Sequence, residues 1–367
     1  MNPIIEEDMS KILESGIVDF DRLRGKTVLV TGAYGMLASY MVFMMIYLNE
    51  RAESCGQIGD ADGHSVDCRT DAGADNQIRI VALGRNREKM AARFGEYTDR
   101  DYFTFLHGDV TKEIRMDGPC DFVIHAASHA SPKFYGINPV GVMGPNLMGT
   151  IRTLELAREK KSQGYLFFSS GEVYGACQVP LVREHDFGPY DPTNLRSCYG
   201  ESKRAGETLC VSYAHQYGVP AKIVRPSHTY GPTMDLTGDD RVFASFVADA
   251  VAGRDIVMKS DGTATRNFIY LADAACAYFK VLLDGQAGEA YNVTNPEGKC
   301  TIGDLARLVT SLAPGNVSVR IEAQEAGYVG RGKNVYTMLD TAKVQSLGWR
   351  CRYSLRDGFE RTIRSFL

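Results

Sequence analysis

The 367-residue sequence predicts an α/β fold with a doubly wound parallel sheet and a smaller mixed lobe towards the C-terminus. Two observations carry this prediction. Short apolar runs rich in β-branched residues alternate with helical patterns along residues 26–225, as in parallel strands joined by helical crossovers. The first such run, residues 26–30, leads directly into a glycine turn and then into a long apolar helix pattern. Beyond Gly231 the pattern is mixed and helical, which predicts the second lobe.

Composition excludes several classes of protein. The net charge is −4, with a pI of about 6.0 and no basic run, so we expect no nucleic-acid partner. Residues 1–20 are acidic and amphipathic, unlike a signal peptide, and the apolar stretch 36–48 is too short to cross a bilayer. The nine cysteines include no CxxC pair, which predicts reduced thiols in a cytoplasmic protein and no metal site. Because the longest early apolar stretch is too short to span a bilayer, no membrane partner is expected.

The first strand and its glycine turn predict a dinucleotide-binding unit. A helical lead-in, residues 1–24, precedes the strand, and the segment 31–38 reads TGAYGMLA. In this pattern Gly32 allows the tight turn and Gly35 lets the backbone approach a pyrophosphate, while Ala38 permits close helix–strand packing. The helix that follows would present its free N–H groups to the phosphates.

The end of the second strand, residues 79–83, departs from this pattern. An acidic residue there normally binds the adenosine ribose 2′-hydroxyl, but this chain has Gly84-Arg85-Asn86-Arg87. Arg85 could bind a 2′-phosphate, as in NADP, or cover the adenine face, and both interpretations stay open. The polar stretch 51–77, between the first helix and this strand, is expected to be an inserted surface loop.

Four more strands are predicted, and their carboxyl ends should share one edge of the sheet. They are residues 103–106, 121–124, 165–168 and 221–224. Small residues after the fourth strand leave room for a cofactor, and residues 129–135 are expected to form a loop at the same edge. A helix is expected to start near Asn146.

A tyrosine and a lysine lie four residues apart, at Tyr199 and Lys203, on the next predicted helix. Residues i and i+4 share one helix face, so the ammonium would favour the phenolate and lower the pKa of Tyr199. A phenolate held in this way is a general base. The spacing alone is weak evidence, because it also occurs on helices that carry no chemistry.

Taken together, these motifs resemble those of the extended short-chain dehydrogenase/reductase superfamily, which comprises NAD-dependent nucleotide-sugar epimerases, dehydratases and decarboxylases. The resemblance covers about residues 26–349 and implies a Rossmann fold. Its markers are the glycine turn, His-Ala-Ala at 125–127, Asn146 with Gly149-Thr150, SSGEVYG at 169–175, Tyr199-x-x-x-Lys203, Tyr-Gly-Pro at 230–232, Arg266-x-Phe-x-Tyr270-x-x-Asp273, Tyr-Asn-Val at 291–293 and Leu-Gly-Trp at 347–349.

The resemblance implies a role for each matching residue. Tyr199 would take a proton from a sugar hydroxyl, usually O4, while hydride leaves the same carbon for the nicotinamide. Lys203 would bind the nicotinamide ribose, and Ser170 would hydrogen-bond the reacting hydroxyl. The implied cofactor residues are Gly32, Tyr34, Gly35, Met36, Leu37, Arg85, Asp109, Val110, Ala126, Ala127, Ser128, Asn146, Ser169, Tyr199, Lys203 and Pro226. The implied substrate residues are Ser131, Lys133, Tyr135, Glu172, His228, Arg241, Arg266 and Tyr270.

Within the superfamily the sequence is most similar to UDP-glucuronate decarboxylases. The loop 130–135 with Asn138-Pro139, the segment 198–204 with Glu207-Thr208, and the segments around Arg241 and Arg266 carry this similarity. In that branch an acid corresponding to Glu172 lies beside the sugar. A 4,6-dehydratase usually has an Asp–Glu pair here, and Gly171 in the Asp position counts against dehydration.

Other activities stay open. A 4-epimerase needs no acid at this position, an NADPH-dependent 4-keto-sugar reductase would suit Arg85, and a non-catalytic nucleotide-binding regulator usually lacks the Tyr-Lys pair. His228 replaces an Asn that many members use to contact the sugar or its phosphate; it could donate a similar hydrogen bond or simply pack below the cleft.

The expected cofactor is NAD, with NADP second, and the expected partners are a nucleoside-diphosphate sugar and a second copy of the chain. The homodimer would join the helix after Asn146 to the Tyr199 helix, with Leu147, Ile151, Leu154 and Leu156 as apolar residues. The expected domains are a dinucleotide-binding domain over 1–225 and a substrate lobe over 226–367, from which some segments return to the first domain.

Overall fold

A computed structural model of the chain describes residues 1–57, 76–239, 241–322 and 338–367, and the side chains of 54–57 are not among the described parts. The centre is a seven-stranded parallel sheet, which confirms the predicted fold class. In chain order its first five strands are β1 (Thr27–Thr31), β2 (Arg79–Gly84), β3 (Phe103–His107), β4 (Phe122–His125) and β5 (Gly164–Phe168). The other two are β7 (Ala221–Pro226) and β11 (Ala290–Val293), and the spatial order is β11-β7-β5-β4-β1-β2-β3.

Helices cover both faces of this sheet. The described α-helices are α1 (Pro3–Glu14), α2 (Met36–Gln57), α3 (Arg87–Phe94), α4 (Lys133–Ile137), α5 (Pro139–Gly144), α6 (Thr150–Glu159), α7 (Cys198–Tyr217), α8 (Val242–Val251), α9 (Leu271–Asp284), α10 (Ile302–Leu312), α11 (Ala342–Ser346) and α12 (Leu355–Arg364). Single 3-10 turns lie at Phe20–Leu23, Gly95–Tyr97, Gly171–Tyr174 and Leu195–Ser197, and a π turn at Pro145–Gly149 joins α5 to α6. Among the described residues, no helix is both long and apolar enough to cross a bilayer.

Alternating strand residues divide the core into two layers. Val28 and Val30 face one layer with α1, α2 and α9, whereas Leu29 between them faces the other layer with α6 and α7. Because a parallel sheet is buried on both faces, its strands read as continuous apolar runs, and this is why β1 could be predicted from sequence.

The second lobe consists of small sheets and short helices. Its sheets pair β8 (His228–Tyr230), β10 (Thr265–Tyr270) and β12 (Lys299–Thr301), and β9 (Ile256–Met258) with β13 (Val319–Ile321). A further pair joins β6 (Leu181–Val182) to β14 (Met338–Leu339). Helix α12 ends this lobe and starts with a capping box between Ser354 and Asp357.

Three local predictions need correction. Residues 51–57 continue α2 instead of starting a surface loop, because Arg51-Ala-Glu are good helix formers; the rest of that predicted insertion, up to residue 75, lies outside the described residues. Residues 133–137, expected in a loop, form α4, since Pro132 already has helical dihedral angles. The helix expected near Asn146 starts at Pro139, where Asn138 caps it.

Strand β11 was not predicted, although Tyr291-Asn292-Val293 was recognised as a marker. It pairs with β7 at the edge of the sheet, so part of the C-terminal region does return to the central sheet. The division of the chain at about residue 225 stays a prediction.

Candidate active site

The glycine turn after β1 brings the backbone very close to the end of β4. Gly32 has φ +65°, and a side-chain Cβ there would lie 2.8 Å from the Cα of Ala127. At Gly35, three residues further along the turn, a Cβ would lie 3.0 Å from the carbonyl oxygen of Gly32. Met36 and Leu37 then open α2, so its N-terminal N–H groups lie at the carboxyl edge of the sheet. This close approach fits a turn that admits a diphosphate.

A buried histidine fastens β4 to its neighbours. Burial lowers the pKa of His125 to about 3, so the ring is neutral. Its Nδ1 lies 2.8 Å from the Thr31 hydroxyl and its Nε2 lies 3.2 Å from the Pro145 carbonyl oxygen. The Ala127 N–H in turn donates to the Thr31 hydroxyl at 3.2 Å, which fixes the Ala126-Ala127 backbone beside the turn. The sequence analysis noted His125 only as a marker, since its partners come from distant parts of the chain.

Two predicted cofactor residues carry buried polar atoms without a protein partner. These atoms are Ser128 Oγ, after β4, and Asn146 Oδ1, in the π turn. The amide nitrogen of Asn146 is held by the Val142 carbonyl at 3.2 Å and the Ser202 hydroxyl at 3.0 Å, so its oxygen is the atom left over. Buried polar atoms normally have partners. Together with the glycine turn, these two atoms fit a polar ligand such as a dinucleotide.

Arg85 extends over the carboxyl ends of β2 and β3. Its guanidinium lies 3.6 Å from the Asp109 carboxylate and 3.0 Å from His129 Nε2, and just over half of its side chain is exposed. Although burial acts to raise the pKa of Asp109, hydrogen bonds from Thr111 and the charge of Arg85 hold it below its usual value. Nearby, Tyr34 lies against Gly84, where a Cβ would be 2.6 Å from its ring. Arg85 therefore already has an anionic neighbour.

Val110 follows β3 and Pro226 ends β7, so both lie at the carboxyl edge of the central sheet. Val110 packs against Gly149, where a Cβ would be 3.0 Å from its Cγ1.

Tyr199 lies in the first turn of α7 and is buried. Its ring stacks on that of Tyr135, with centroids 5.2 Å apart and planes 14° apart. Burial raises the pKa of Tyr199 to about 12, against a hydrogen bond with Ser170 and the charge of Arg241 that act to lower it; the charge of Glu172 acts with burial. The expected lowering of this pKa is therefore wrong for the described chain by itself.

Lys203 shares the helix face of Tyr199, as predicted, but its ammonium is directed to the end of β5. Its Nζ donates to the Phe168 carbonyl oxygen at 2.6 Å and lies 5.8 Å from the centroid of the Tyr199 ring. Burial lowers the pKa of Lys203 to about 7, although the nearby Glu207 acts to raise it. Because the Lys203 ammonium is bonded to Phe168 and lies 5.8 Å from the Tyr199 ring centroid, it does not offset the effect of burial on the pKa of Tyr199.

The turn after β5 places Ser170 in hydrogen-bonding distance of this phenol and Glu172 within electrostatic reach of it, whereas the Ser169 hydroxyl donates to Glu207. Ser170 caps the 3-10 turn by accepting a hydrogen bond from the Glu172 N–H at 3.2 Å. The Glu172 side chain is exposed, and the Tyr190 hydroxyl donates to its backbone carbonyl at 2.6 Å. At Gly171 a Cβ would have only ordinary contacts, at 3.7 Å, so the missing second acid leaves space.

Positive charges converge on the same place from the second lobe. Burial lowers the pKa of His228 to about 3, and the charges of Arg266 and Arg241 act in the same direction. Since Arg241 also acts on Tyr199, its guanidinium lies within electrostatic reach of the phenol as well as of His228. Arg241 is paired with Asp239 at 2.5 Å, and the His228 ring packs against Phe243 and Phe268. A backbone hydrogen bond at Asn267 acts to raise the pKa of His228, so the single N–H of the neutral ring already has a partner there.

The loop before α5 lies beside Tyr199. Tyr135 donates to the Ala130 carbonyl at 3.0 Å, and the Ser131 carbonyl accepts from the Phe134 N–H at 3.1 Å. Lys133 donates to the Gly238 carbonyl, which ties this loop to the second lobe. Of the predicted substrate residues in this segment, Tyr135 in α4 packs directly against Tyr199, and Lys133 joins α4 to the second lobe.

Tyr270 is the one predicted substrate residue that the structure places elsewhere. Its side chain is almost fully buried, and its hydroxyl donates to Asp8 in α1 at 2.5 Å. The apolar β10 pattern turns this tyrosine into the core, so assigning it to the substrate site was wrong. Within the described ranges, no group of three or more His, Cys, Asp or Glu side chains could hold a metal ion.

Comparisons with known proteins agree with this geometry. The family model for the NAD dependent epimerase/dehydratase family matches residues 28–294. UDP-glucuronic acid decarboxylase 6 of Arabidopsis thaliana is 34% identical over 332 residues, which cover 90% of this chain and 86% of that protein. UDP-glucuronic acid decarboxylase 1 of Xenopus tropicalis is 29% identical over 93% of this chain and 72% of that protein.

Solved structures show the same fold. An epimerase from Methanothermobacter thermautotrophicus superposes with a TM-score of 0.75 at 20% identity, over 95% of this chain and 95% of that one. A dTDP-glucose 4,6-dehydratase from Bacillus anthracis, in complex with NAD, gives a TM-score of 0.68 at 17% identity, over 93% of this chain and 96% of that one. With a family model spanning most of the chain and a relative similar over nearly its whole length, the protein belongs to the NAD dependent epimerase/dehydratase family.

Proposed function

We propose that this protein is an NAD-dependent enzyme that oxidises C4 of a nucleoside-diphosphate sugar transiently, and that its reaction is the decarboxylation of a nucleotide-linked glucuronic acid. The observation that carries the oxidation step is the group formed by buried Tyr199, its hydrogen bond to Ser170 and Lys203 one helical turn away. The decarboxylase branch is supported by the similarity to UDP-glucuronic acid decarboxylases over most of the chain.

Tyr199 would act as the base. When bound, NAD supplies an acceptor for the hydride that leaves sugar C4. Tyr199 takes the proton of the C4 hydroxyl, and Ser170 orients that hydroxyl through its own hydrogen bond. Lys203 is held one turn away by the end of β5, where its charge favours the phenolate once the ring and the ammonium approach a common ligand.

Oxidation at C4 makes the sugar a β-keto acid, which explains how carbon dioxide can leave without a strong base. The C5–C6 bond breaks, and its electron pair passes to the C4 ketone oxygen as carbon dioxide departs. A proton from water is then added to C5, hydride returns to C4, and Tyr199 gives its proton back to the C4 oxygen. Glu172 lies close enough to affect the pKa of Tyr199, and it is the acid nearest in the chain to Ser170, which orients the C4 hydroxyl. Gly171 has no side chain, so the second acid that a dehydratase would use at this position is absent.

The substrate's negative charges would be held by the second lobe. Arg241 and Arg266 both act on His228, and Arg241 also acts on Tyr199. A guanidinium binds carboxylate or phosphate oxygens well, and the charge-assisted hydrogen bond is stronger than a neutral one. A sugar that carries both a carboxylate and a diphosphate therefore suits this site.

The test is to incubate the purified protein with NAD and, separately, UDP-glucuronic acid, UDP-glucose and dTDP-glucose, and to read product mass. We expect loss of carbon dioxide from UDP-glucuronic acid. Loss of water from a glucose nucleotide would make the enzyme a dehydratase, and a C4-inverted product of unchanged mass would make it an epimerase. Stoichiometric consumption of NADPH with a 4-keto-sugar would indicate a reductase, while binding without turnover would indicate a regulator.

We also propose that the chain forms a homodimer through α6 and α7. Met148, Val211 and Tyr217 are exposed on the π turn and α7, and Leu147 and Ile151 are half-buried. Leu154 and Leu156, expected at this interface, instead pack in the chain's own core and cannot contribute. Light scattering at micromolar concentration tests this, with a monomer as the contrary result. The cytoplasmic location expected from cysteine usage stays a prediction.

A further inference from the structure

Helix α7 is fastened to the end of β5 by three side chains on one of its faces. Tyr199, Lys203 and Glu207 follow at four-residue spacing, so they lie one above another. Their partners are three consecutive residues of the strand end: Tyr199 bonds Ser170, Lys203 Nζ donates to the Phe168 carbonyl at 2.6 Å, and Glu207 accepts from the Ser169 hydroxyl at 2.5 Å. The first two of these side chains have a proposed role in the reaction, whereas the third has none.

Glu207 is buried together with its cation. Arg225, at the end of β7, donates to both carboxylate oxygens, at 2.8 Å from Nε and 2.6 Å from Nη2. Glu207 is 7% exposed and Arg225 is 3% exposed. An ion pair this deeply buried is costly to desolvate and is therefore weak evidence for a purely stabilising role.

The pair also connects to the segment that carries Glu172. Arg225 Nη1 donates to the Tyr174 hydroxyl at 2.9 Å and to the Glu184 carbonyl oxygen at 2.6 Å. Tyr174 closes the 3-10 turn in which Glu172 lies, and its hydroxyl is hydrogen-bonded to Asn292 in β11. The position of the turn is thus set from the side of Glu207 and Arg225.

We propose that Glu207 is a positioning residue for the reaction at Tyr199: with Arg225 it holds Ser169 and the following turn in place, and its carboxylate acts on Lys203, one helical turn away on the same face of α7. This inference rests on the proposed function of the Tyr199 site. Glu207 acts through Lys203 and Ser169, not on the substrate.

The effect on Lys203 can be separated from other charges. Among the described residues, the titratable groups that face Lys203 are Glu207, Cys210 and Tyr199 from α7, and His125 from β4; β5 contributes a carbonyl and the Phe167 ring. His125 is neutral, and burial raises the pKa of the Cys210 thiol. Glu207 is therefore the anion that offsets the burial of Lys203 at neutral pH.

The experiment compares pH profiles of kcat for the wild type, Glu207→Gln and Arg225→Met. Glu207→Gln keeps the shape but removes the charge, so the basic limb should move to lower pH by about one unit, with about a tenfold loss of kcat on that limb. Arg225→Met leaves the carboxylate uncompensated, so the same limb should move to higher pH. Glu113→Gln, at an exposed ion pair with Arg115, is the control and should leave the profile unchanged.

A double variant serves as the control for misfolding of the single variants. Each single change leaves one buried charge without its partner, whereas Glu207→Gln with Arg225→Met leaves neither. The double variant should fold, and its basic limb should lie between those of the two single variants, because both members of the ion pair have lost their charge. Single variants that both shift the limb in the same direction would overturn the inference, and so would a folded double variant whose limb lies outside the range set by the two single variants.

A readout without sugar separates this inference from the proposed function. Calorimetric titration of NAD at several pH values follows Lys203 through its predicted contact with the nicotinamide ribose. The pH at which NAD affinity declines should be lower in Glu207→Gln than in the wild type. If the wild type turns over no nucleotide sugar, the proposed function fails, but this shift still supports the role of Glu207. An unchanged midpoint overturns that role even in an active enzyme.

Discussion

Two buried carboxylates, Asp8 and Glu207, have similar surroundings but lie in different parts of the molecule. Asp8 in α1 is fully buried and binds Arg361 at 2.7 Å and the hydroxyls of Tyr270 and Tyr353 at 2.5 and 3.1 Å, with Tyr40 as a further donor. These partners come from β10, α2 and the C-terminal region, so Asp8 joins the two ends of the chain.

Glu207 has the same type of ion pair, but its other donor is Ser169, beside the proposed reacting residues. The comparison shows that burial of an ion pair does not itself indicate function. What matters is the segment that the pair holds in place: at Asp8 it is the lead-in helix, and at Glu207 it is the turn around Tyr199. Loss of each should therefore affect a different measurement.

The largest effect is expected at the centre of the active-site region. Tyr199→Phe removes only the phenolic oxygen, so kcat should fall on the order of 10²–10⁴-fold while NAD binding and the melting temperature stay nearly unchanged. Turnover of the nucleotide sugar and calorimetric binding of NAD measure the two quantities. Retention of more than about a tenth of the wild-type activity would remove Tyr199 from the role of base.

At the other carboxylate, the expected loss is in stability. Asp8→Asn puts an amide N–H₂ group where a carboxyl oxygen accepts from buried donors such as Arg361 and Tyr270, so a donor loses its acceptor. The free energy of unfolding should fall by about 3–5 kcal/mol, whereas kcat of the remaining folded protein should not change. Urea denaturation and turnover well below the melting temperature check this. An equal loss of kcat and stability would show that the two regions are not independent.

The pH dependence of stability sharpens the same contrast. Burial raises the pKa of Asp8 above its ordinary value of 3.8, although Arg361 and the three hydroxyls oppose it. A raised carboxyl pKa means that the folded state binds more protons than the unfolded state, so this contribution to stability is present at low pH and is lost as pH rises through the folded-state pKa. The difference in unfolding free energy between wild type and Asp8→Asn should therefore shrink as pH rises above 3.8 and through the raised pKa of the folded state. A difference that grows over this range would contradict the assignment.

The smallest effect is expected at an exposed charge, Arg85. Its guanidinium is half-exposed and already lies 3.6 Å from Asp109, so a 2′-phosphate would meet a carboxylate there. We expect NAD to bind more tightly than NADP, and Arg85→Ala to weaken NAD by less than about tenfold. The dissociation constants of both cofactors, for wild type and variant, decide this. Tighter NADP binding that disappears in Arg85→Ala would establish the 2′-phosphate interpretation instead.

Local sequence patterns were sufficient to predict much of the fold. The strands 79–83 and 165–168 were predicted within one residue of their observed bounds, since a strand buried on both faces is an unbroken apolar run. The glycine turn was predicted for the same kind of reason, because Gly32 is needed wherever a backbone passes this close to another. Residues 133–137 and the π turn at Asn146 could not be read in this way, because short or irregular helices depend on what packs against them.

The sequence by itself determined the order of the first six strands of the central sheet, the Tyr199–Lys203 helix face and the family, because these depend on local spacing. Only the tertiary structure decided the environment of each group. Burial raises the pKa of Tyr199, Lys203 bonds to the end of β5, Tyr270 turns into the core and Glu207 meets Arg225. These outcomes arise from contacts between segments distant in the chain and from the removal of water around polar groups. The local spacing of residues along the sequence predicts neither the contacts nor the desolvation.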